Sequence, residues 1–504
     1  MRFIMCVAML AFASSYSVQA EDISESDLRT HIEILASDDF GGRKPGTLGE
    51  NKTLKYIATE WQKAGLVPAT GLASWYAPVA LVDRTPLKQT VSFTRFNGKR
   101  EKTIRIDENQ IILRSSMQSG RSTNVPIVHV GYGNQSEDQL AEAVSTKLVF
   151  MFLRSPPGAK EFPSYRDRKA KILAAGAWGV ISIASSETRF NRLARRFRSS
   201  STSLDVDGQH AGLEGIISKA AAEKLLRKTG IDYNQLAEDA ASGDFRPLQT
   251  GIYADLSADT RVRSYQSHNV VGKIVGRKPG SGAVLFLGHW DHLGECRQAP
   301  AVDRICNGAV DNASGISLLI ETAKRLTKVR PDRDIYFLAT TAEESGLLGA
   351  RAFAANPSFP LEKLVAVFNA DTVALAPNGK LLAIVGRGET DLDDDLEKVA
   401  IAEDREIDKT DKANAFLKRQ DGYVFLEKNI PAFMVTSAFS DQERLNNYLN
   451  GRYHDASDEL DDELLLGGAV DDANFHVALG RYFGNLETYP TKAHQKGHMD
   501  SAGE

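Results

Sequence analysis

The chain has 504 residues, 42% of them hydrophobic and 25% charged, which is more length than one core usually organises, so two or more domains are expected. Lys and Arg number 61 against 66 Asp and Glu, a formal charge of -5 that gives no electrostatic footprint for nucleic acid or an anionic membrane. With 40 Gly, 17 Pro and 3 Cys, the collagen-like, low-complexity and disulfide-scaffold classes are excluded.

Residues 1–20 join Arg2 to an apolar stretch over 3–12 and end in Val18-Gln19-Ala20, the pattern of a cleaved signal peptide. A secreted or periplasmic protein is therefore expected. Cys6 leaves with that segment, and in an oxidising compartment Cys296 and Cys306 are expected to pair, the alternative being two free thiols in a loop. No later stretch stays apolar for long enough to span a membrane.

The spacing of Leu28, Ile32 and Leu35 predicts a first amphipathic helix, and Leu54, Ile57, Ala58, Trp61 and Ala64, closed by Gly65, predict a second. Between them, 39–47 reads as a Gly- and Pro-rich loop. Alternating runs at 91–94 and 111–113 predict strands, so 21–114 is read as the N-terminal part of the main domain. A small α/β insert is expected over 115–255, with strands at 126–130, 148–153 and 180–183 and a helix over 169–175. It carries Arg189, Arg192, Arg195, Arg196 and Arg198, read as a solvated basic loop or, alternatively, as a site for a substrate carboxylate. Over 256–490, apolar runs at 270–275, 284–287, 335–338, 364–368, 381–385 and 433–436 alternate with helical stretches such as 316–326. This predicts an α/β domain with a mixed, largely parallel sheet flanked by helices. Residues 491–504 lack periodicity and are expected to form a disordered tail.

Histidines and acids gather where these strands end, the place at which open α/β sheets collect their chemistry. Strand 284–287 runs into Gly288-His289-Trp290-Asp291-His292, a spacing that lets Asp291 accept a hydrogen bond from the His289 ring while His289 binds a metal. His292 is read as an exposed loop histidine. Asp311, just ahead of the helix, is either a cap or a ligand. Strand 335–338 leads to Glu343-Glu344, adjacent carboxylates that are costly unless a cation neutralises them. Asp371 follows strand 364–368, and His454-Asp455-Ala456-Ser457-Asp458 comes last. Two histidines with three carboxylates suit a pair of zinc ions rather than calcium, which prefers oxygen alone.

In these motifs, and in Leu35-Ala36-Ser37-Asp38 and Gly41-Gly42-Arg43, the chain resembles the M28 zinc peptidases, secreted aminopeptidases of the di-zinc type. The resemblance implies two zinc ions per chain, one held by His289 and Asp371, the other by Glu344 and His454, with Asp311 bridging them. It further implies Glu343 as general base, Asp291 as the partner of His289, a water between the metals as nucleophile, and peptides with a free N-terminus as substrates. The insert resembles a protease-associated domain through Lys169, Ala174 and Gly176-Ala177. Two stretches depart from the family: Arg419-Gln420-Asp421-Gly422-Tyr423 stands where many members have Ser-Asp-His, and Asp455-Ala456-Ser457 replaces a Thr-Pro or Ser-Pro turn. The competing functions are a carboxypeptidase of the same family, a single-zinc glutaminyl-cyclase-like acyltransferase, and a binding protein on an inactive peptidase scaffold. Retention of every implied ligand and of Glu343 opposes the last.

Overall fold

The computed structural model describes residues 22–490, except 70, 72–73, 98–99, 160, 206–211 and 243. The signal segment expected over 1–20 and the tail expected over 491–504 lie outside the described residues. The chain divides into two compact units, Met1–Val79 with Ser267–Glu504, and Ala80–Gln266.

The sheet of the first unit runs in the order Ala383–Val385, Ala432–Thr436, Leu364–Asn369, Ala283–His289, Asp334–Thr340 and the last residues of Leu248–Ile274. Its four inner strands are parallel and the two outer ones antiparallel, which is the mixed, largely parallel sheet expected. Strand Ala283–His289 is buried along its whole length because both faces are covered. Val284 and Phe286 meet helices Glu25–Leu35, Leu48–Ala64, Gly315–Leu326 and Gly467–Gly484 on one face, whereas Leu285 and Leu287 pack with Phe353 and Phe425 on the other. A capping box at Ser24 starts the first helix, and Gly65 at φ 97° ends the second, a conformation that needs no Cβ.

The second unit is wider than the expected 115–255, because the long strands Tyr76–Asn97 and Leu248–Ile274 carry the chain into and out of it with no break in pattern at the boundary. Within it, Ser119–His129, Leu148–Phe152, Gly179–Ile183 and Leu213–Ile217 form a parallel row, with Ile111–Arg114 antiparallel at the edge. The arginine cluster lies on a helix, Glu187–Arg198, rather than in a loop. Phe190, Ala194 and Phe197 turn inward, while Arg192, Arg195, Arg196 and Arg198 are exposed, the amphipathic division of a surface helix.

Candidate metal centre

Parallel pairing brings the carboxyl ends of three strands to one edge. His289 is in register with Thr340 and Leu287 with Asn369, so His289, the Glu343-Glu344 pair and Asp371 all emerge from adjacent strand ends. Asp311 joins them from the turn Ala309–Ser314, which opens helix Gly315–Leu326. Asn312 ties the ends together: its amide nitrogen donates to the carbonyls of His289 and Ala370, and its side-chain oxygen accepts from the amides of Gly315 and Thr372. A Cβ on Gly315 would lie 2.4 Å from the Ala370 carbonyl, so this close approach requires glycine.

His289, Asp311 and Asp371 offer donor atoms all within 4.8 Å of one another, and so do His292, Asp311 and Glu344. Asp311 therefore belongs to both groups. His289 Nε2 lies 3.2 Å from Asp311 and 3.5 Å from Asp371. His454 reaches the second group, its Nε2 standing 2.8 Å from Glu344 and 3.3 Å from Asp311. His292 is not the exposed loop histidine expected: it is 1% exposed, and its Nδ1 lies 2.6 Å from Glu344. Its burial follows from packing beneath Gly308, which local sequence does not signal.

The contact expected between the Asp291 carboxylate and the His289 ring is made differently. His289 Nδ1 lies 3.1 Å from the Asp291 backbone carbonyl, which only accepts, so Nδ1 carries the proton and Nε2 is left free for a metal. The Asp291 carboxylate, 3.8 Å from the ring, instead accepts from the Glu343 amide at 3.0 Å and so fixes the turn that presents Glu343.

Arg43 is the main supporting residue that sequence reading left without a role. It is buried and donates to the carbonyls of Leu35, Trp290, Asn307 and Gly308, joining segments far apart in sequence. Arg43, Ala342, Thr372 and His454 all have positive φ, backbone strain that collects around this cluster. Cys296 and Cys306 are bridged, as expected, and close the loop between His289 and Asp311. Asp455 takes the place of the usual proline turn: it accepts from the Ser457 amide and hydroxyl and pairs with Arg297 in the disulfide loop.

The donor set fits divalent cations. Burial, then the charges of Glu344 and Asp421, push the Asp291 carboxyl up to about 8, despite the opposing pull of His289. Burial likewise raises Glu343 well above its ordinary value, and raises Asp421, which accepts from Thr340, to about 6. Burial works against ionised Asp311 as well, but the adjoining His289, His454 and His292 rings hold it well below the usual range. Such an accumulation of buried carboxylates calls for a cation, and mixed imidazole and carboxylate donors match zinc.

Beside the donors lies an open cleft. His289, Asp311, Glu343 and Asp371 line one part of it, Phe416, Met434, Phe439, Leu445 and Leu449 line an apolar part, and Arg419 and Tyr453 also border it.

Residues 269–471, which contain every implied ligand and Glu343, match the sequence profile of peptidase family M28. The chain carries an M28 peptidase domain. A vacuolar membrane protease of Lachancea thermotolerans is 30% identical over 125 residues, covering 25% of this chain and 12% of that protein. A probable leucine aminopeptidase 2 of Aspergillus oryzae is 30% identical over 138 residues, covering 27% and 25% of the two chains. Among solved structures, an aminopeptidase from Aneurinibacillus sp. strain AM-1 aligns over 92% of this chain and 94% of its own, at 17% identity and a TM-score of 0.48. The chain spans only 10–14% of the length of the vacuolar membrane proteases it matches. The secreted or periplasmic location expected from the first residues is not upheld, since these relatives, 26–30% identical over the matched stretches, are named as proteases of a vacuolar membrane. Among the described residues, no helix is long and apolar enough to cross a membrane.

Proposed function

We propose that the M28 domain is a two-zinc aminopeptidase that removes an apolar first residue from peptides. The observation that carries this reading is the sharing of Asp311 between two groups of donors, with Glu343 lining the same cleft. His289, Asp371 and Asp311 would hold one ion, and Glu344, His454 and Asp311 the other, with His292 orienting Glu344.

Zinc held at such a pair would supply Lewis acidity toward the scissile carbonyl and would acidify an attacking water. Glu343 takes the proton from that water and delivers it to the leaving nitrogen. Asp291 keeps Glu343 in place through the backbone amide, and Asn312 keeps the strand ends, and so the ligands, in register. Asp311, Glu343 and Asp371 line the cleft, and this acidic end favours an ammonium group over a carboxylate. The apolar lining then takes the first side chain. The unit Ala80–Gln266 remains proposed as a protease-associated insert.

Elemental analysis of the zinc-saturated chain should give two ions, and chelation should abolish hydrolysis of leucine p-nitroanilide until zinc is restored. A single ion at saturation overturns the paired site.

A further inference from the structure

Arg419 ends the turn Lys412–Arg419 and borders the cleft that His289, Asp311, Glu343 and Asp371 line. Its guanidinium is held between two rings, 5.2 Å from the Phe416 centroid and 5.8 Å from that of Tyr453. It donates to the Tyr453 hydroxyl at 3.2 Å, and Tyr453 stacks on His454 with centroids 3.7 Å apart. The charge is thereby fixed next to the metal donors. Cation–π contacts position an arginine without neutralising it.

Other arginines of this unit are already engaged. Arg297 pairs with Asp455 and Arg351 with Glu427, and Arg43 spends its donors on backbone carbonyls. Arg419 differs: among the described residues no carboxylate lies within 4.0 Å of it. Most of its donors are therefore unspent, in a planar fork that matches a carboxylate. The same cleft is acidic where Glu343 and Asp371 lie and basic at Arg419, so a ligand bearing an ammonium at one end and a carboxylate at the other is complementary to both.

We propose that Arg419 receives a carboxylate carried by the residue just after the scissile bond, so that the site selects dipeptides or peptides with an acidic second residue. This rests on the aminopeptidase reading. The C-terminal carboxylate of a dipeptide and the side chain of a second-position Asp present the same group, and paired substrates separate them.

The test compares kcat/KM for Leu-Ala with Leu-Ala-amide, and for Leu-Asp-amide with Leu-Asn-amide, in the wild type, Arg419→Gln and Arg419→Lys. Each ratio is internal to one preparation, so partial misfolding cancels. A charge-assisted bidentate contact predicts that the carboxylate member is preferred by about tenfold or more, chiefly through KM. The ratio should fall to near one in Arg419→Gln and stay in between in Arg419→Lys. Preference in the first pair assigns the C-terminal carboxylate, and preference in the second assigns the acidic side chain. Calorimetric titration of the Glu343→Gln protein with uncleaved Leu-Ala and its amide should give the same ratio as a difference in Kd. Ratios near one in the wild type, or ratios that survive in Arg419→Gln, overturn the proposal while hydrolysis of leucine p-nitroanilide upholds the aminopeptidase reading. Failure of the zinc-loaded wild type to cut any substrate with a free amine overturns both.

Discussion

Asp458 accepts a hydrogen bond from the backbone amide of Asp311 at 3.2 Å. It also accepts from the amide of Val310 at 3.1 Å and from the Tyr448 hydroxyl at 3.0 Å. A buried carboxylate four residues after His454 thus holds the turn that presents the shared donor Asp311. Groups that orient ligands in this way are typically worth about 10–100-fold in metal affinity. Asp458→Ala should weaken zinc binding by about that factor, as read by competition with a chromogenic chelator. Unchanged affinity would make Asp458 a purely structural residue.

Glu343→Gln keeps the shape of the side chain and its amide contact with Asp291 but removes the proton acceptor. Turnover should fall by at least about 10²-fold, with metal content unchanged. Loss of an ion together with activity would instead make Glu343 a ligand, which elemental analysis of the variant decides.

The convergence of the candidate donors was legible in the sequence because apolar runs mark strand ends and His289, Glu344 and Asp371 follow three of them closely. Asp311 was legible because it precedes an apolar helix. What was not legible depends on contacts between distant segments. Arg43 meets the Asn307 carbonyl 264 residues away, and no local periodicity encodes that contact. His292 and Arg419 share that property: the burial of one and the cleft position of the other are set by neighbouring loops. The limits of the unit Ala80–Gln266 were not legible because they fall close to the start of one long strand and inside another, where composition does not change.

In the second unit, Glu214 is paired with Arg114 and Lys169, each at 2.8–2.9 Å. Burial opposes its ionisation, but those two cations hold its carboxyl at about 2, down from 4.5. A depressed carboxyl contributes stability that is present above pH 4.5 and lost as pH falls toward 2. The contribution is on the order of 3 kcal/mol. Glu214→Gln should therefore lower the unfolding midpoint at neutral pH and flatten its fall between pH 4.5 and 2, as measured by denaturant melts across that range. An equal acid dependence in both proteins would contradict this.

The disulfide between Cys296 and Cys306 closes a short loop between two donors. On the chain-entropy account its stabilisation is about 2–3 kcal/mol at most. Replacing both cysteines with serine should lower the Tm by a few degrees and loosen zinc binding, since His289 and Asp311 flank the loop. A Tm loss with fully retained zinc affinity would confine the bridge to fold stability.

The direction of cleavage tests the central claim most directly. A peptide of five or six residues with an apolar first residue should be shortened from its N-terminus by the zinc-loaded chain, with the products followed by mass spectrometry. Acetylating the N-terminus should block the reaction, because the acidic end of the cleft then meets no ammonium, while amidating the C-terminus should leave the cut in place. Cleavage of the acetylated peptide from its C-terminus, and resistance of the amidated one, would contradict the aminopeptidase account and make the enzyme a carboxypeptidase.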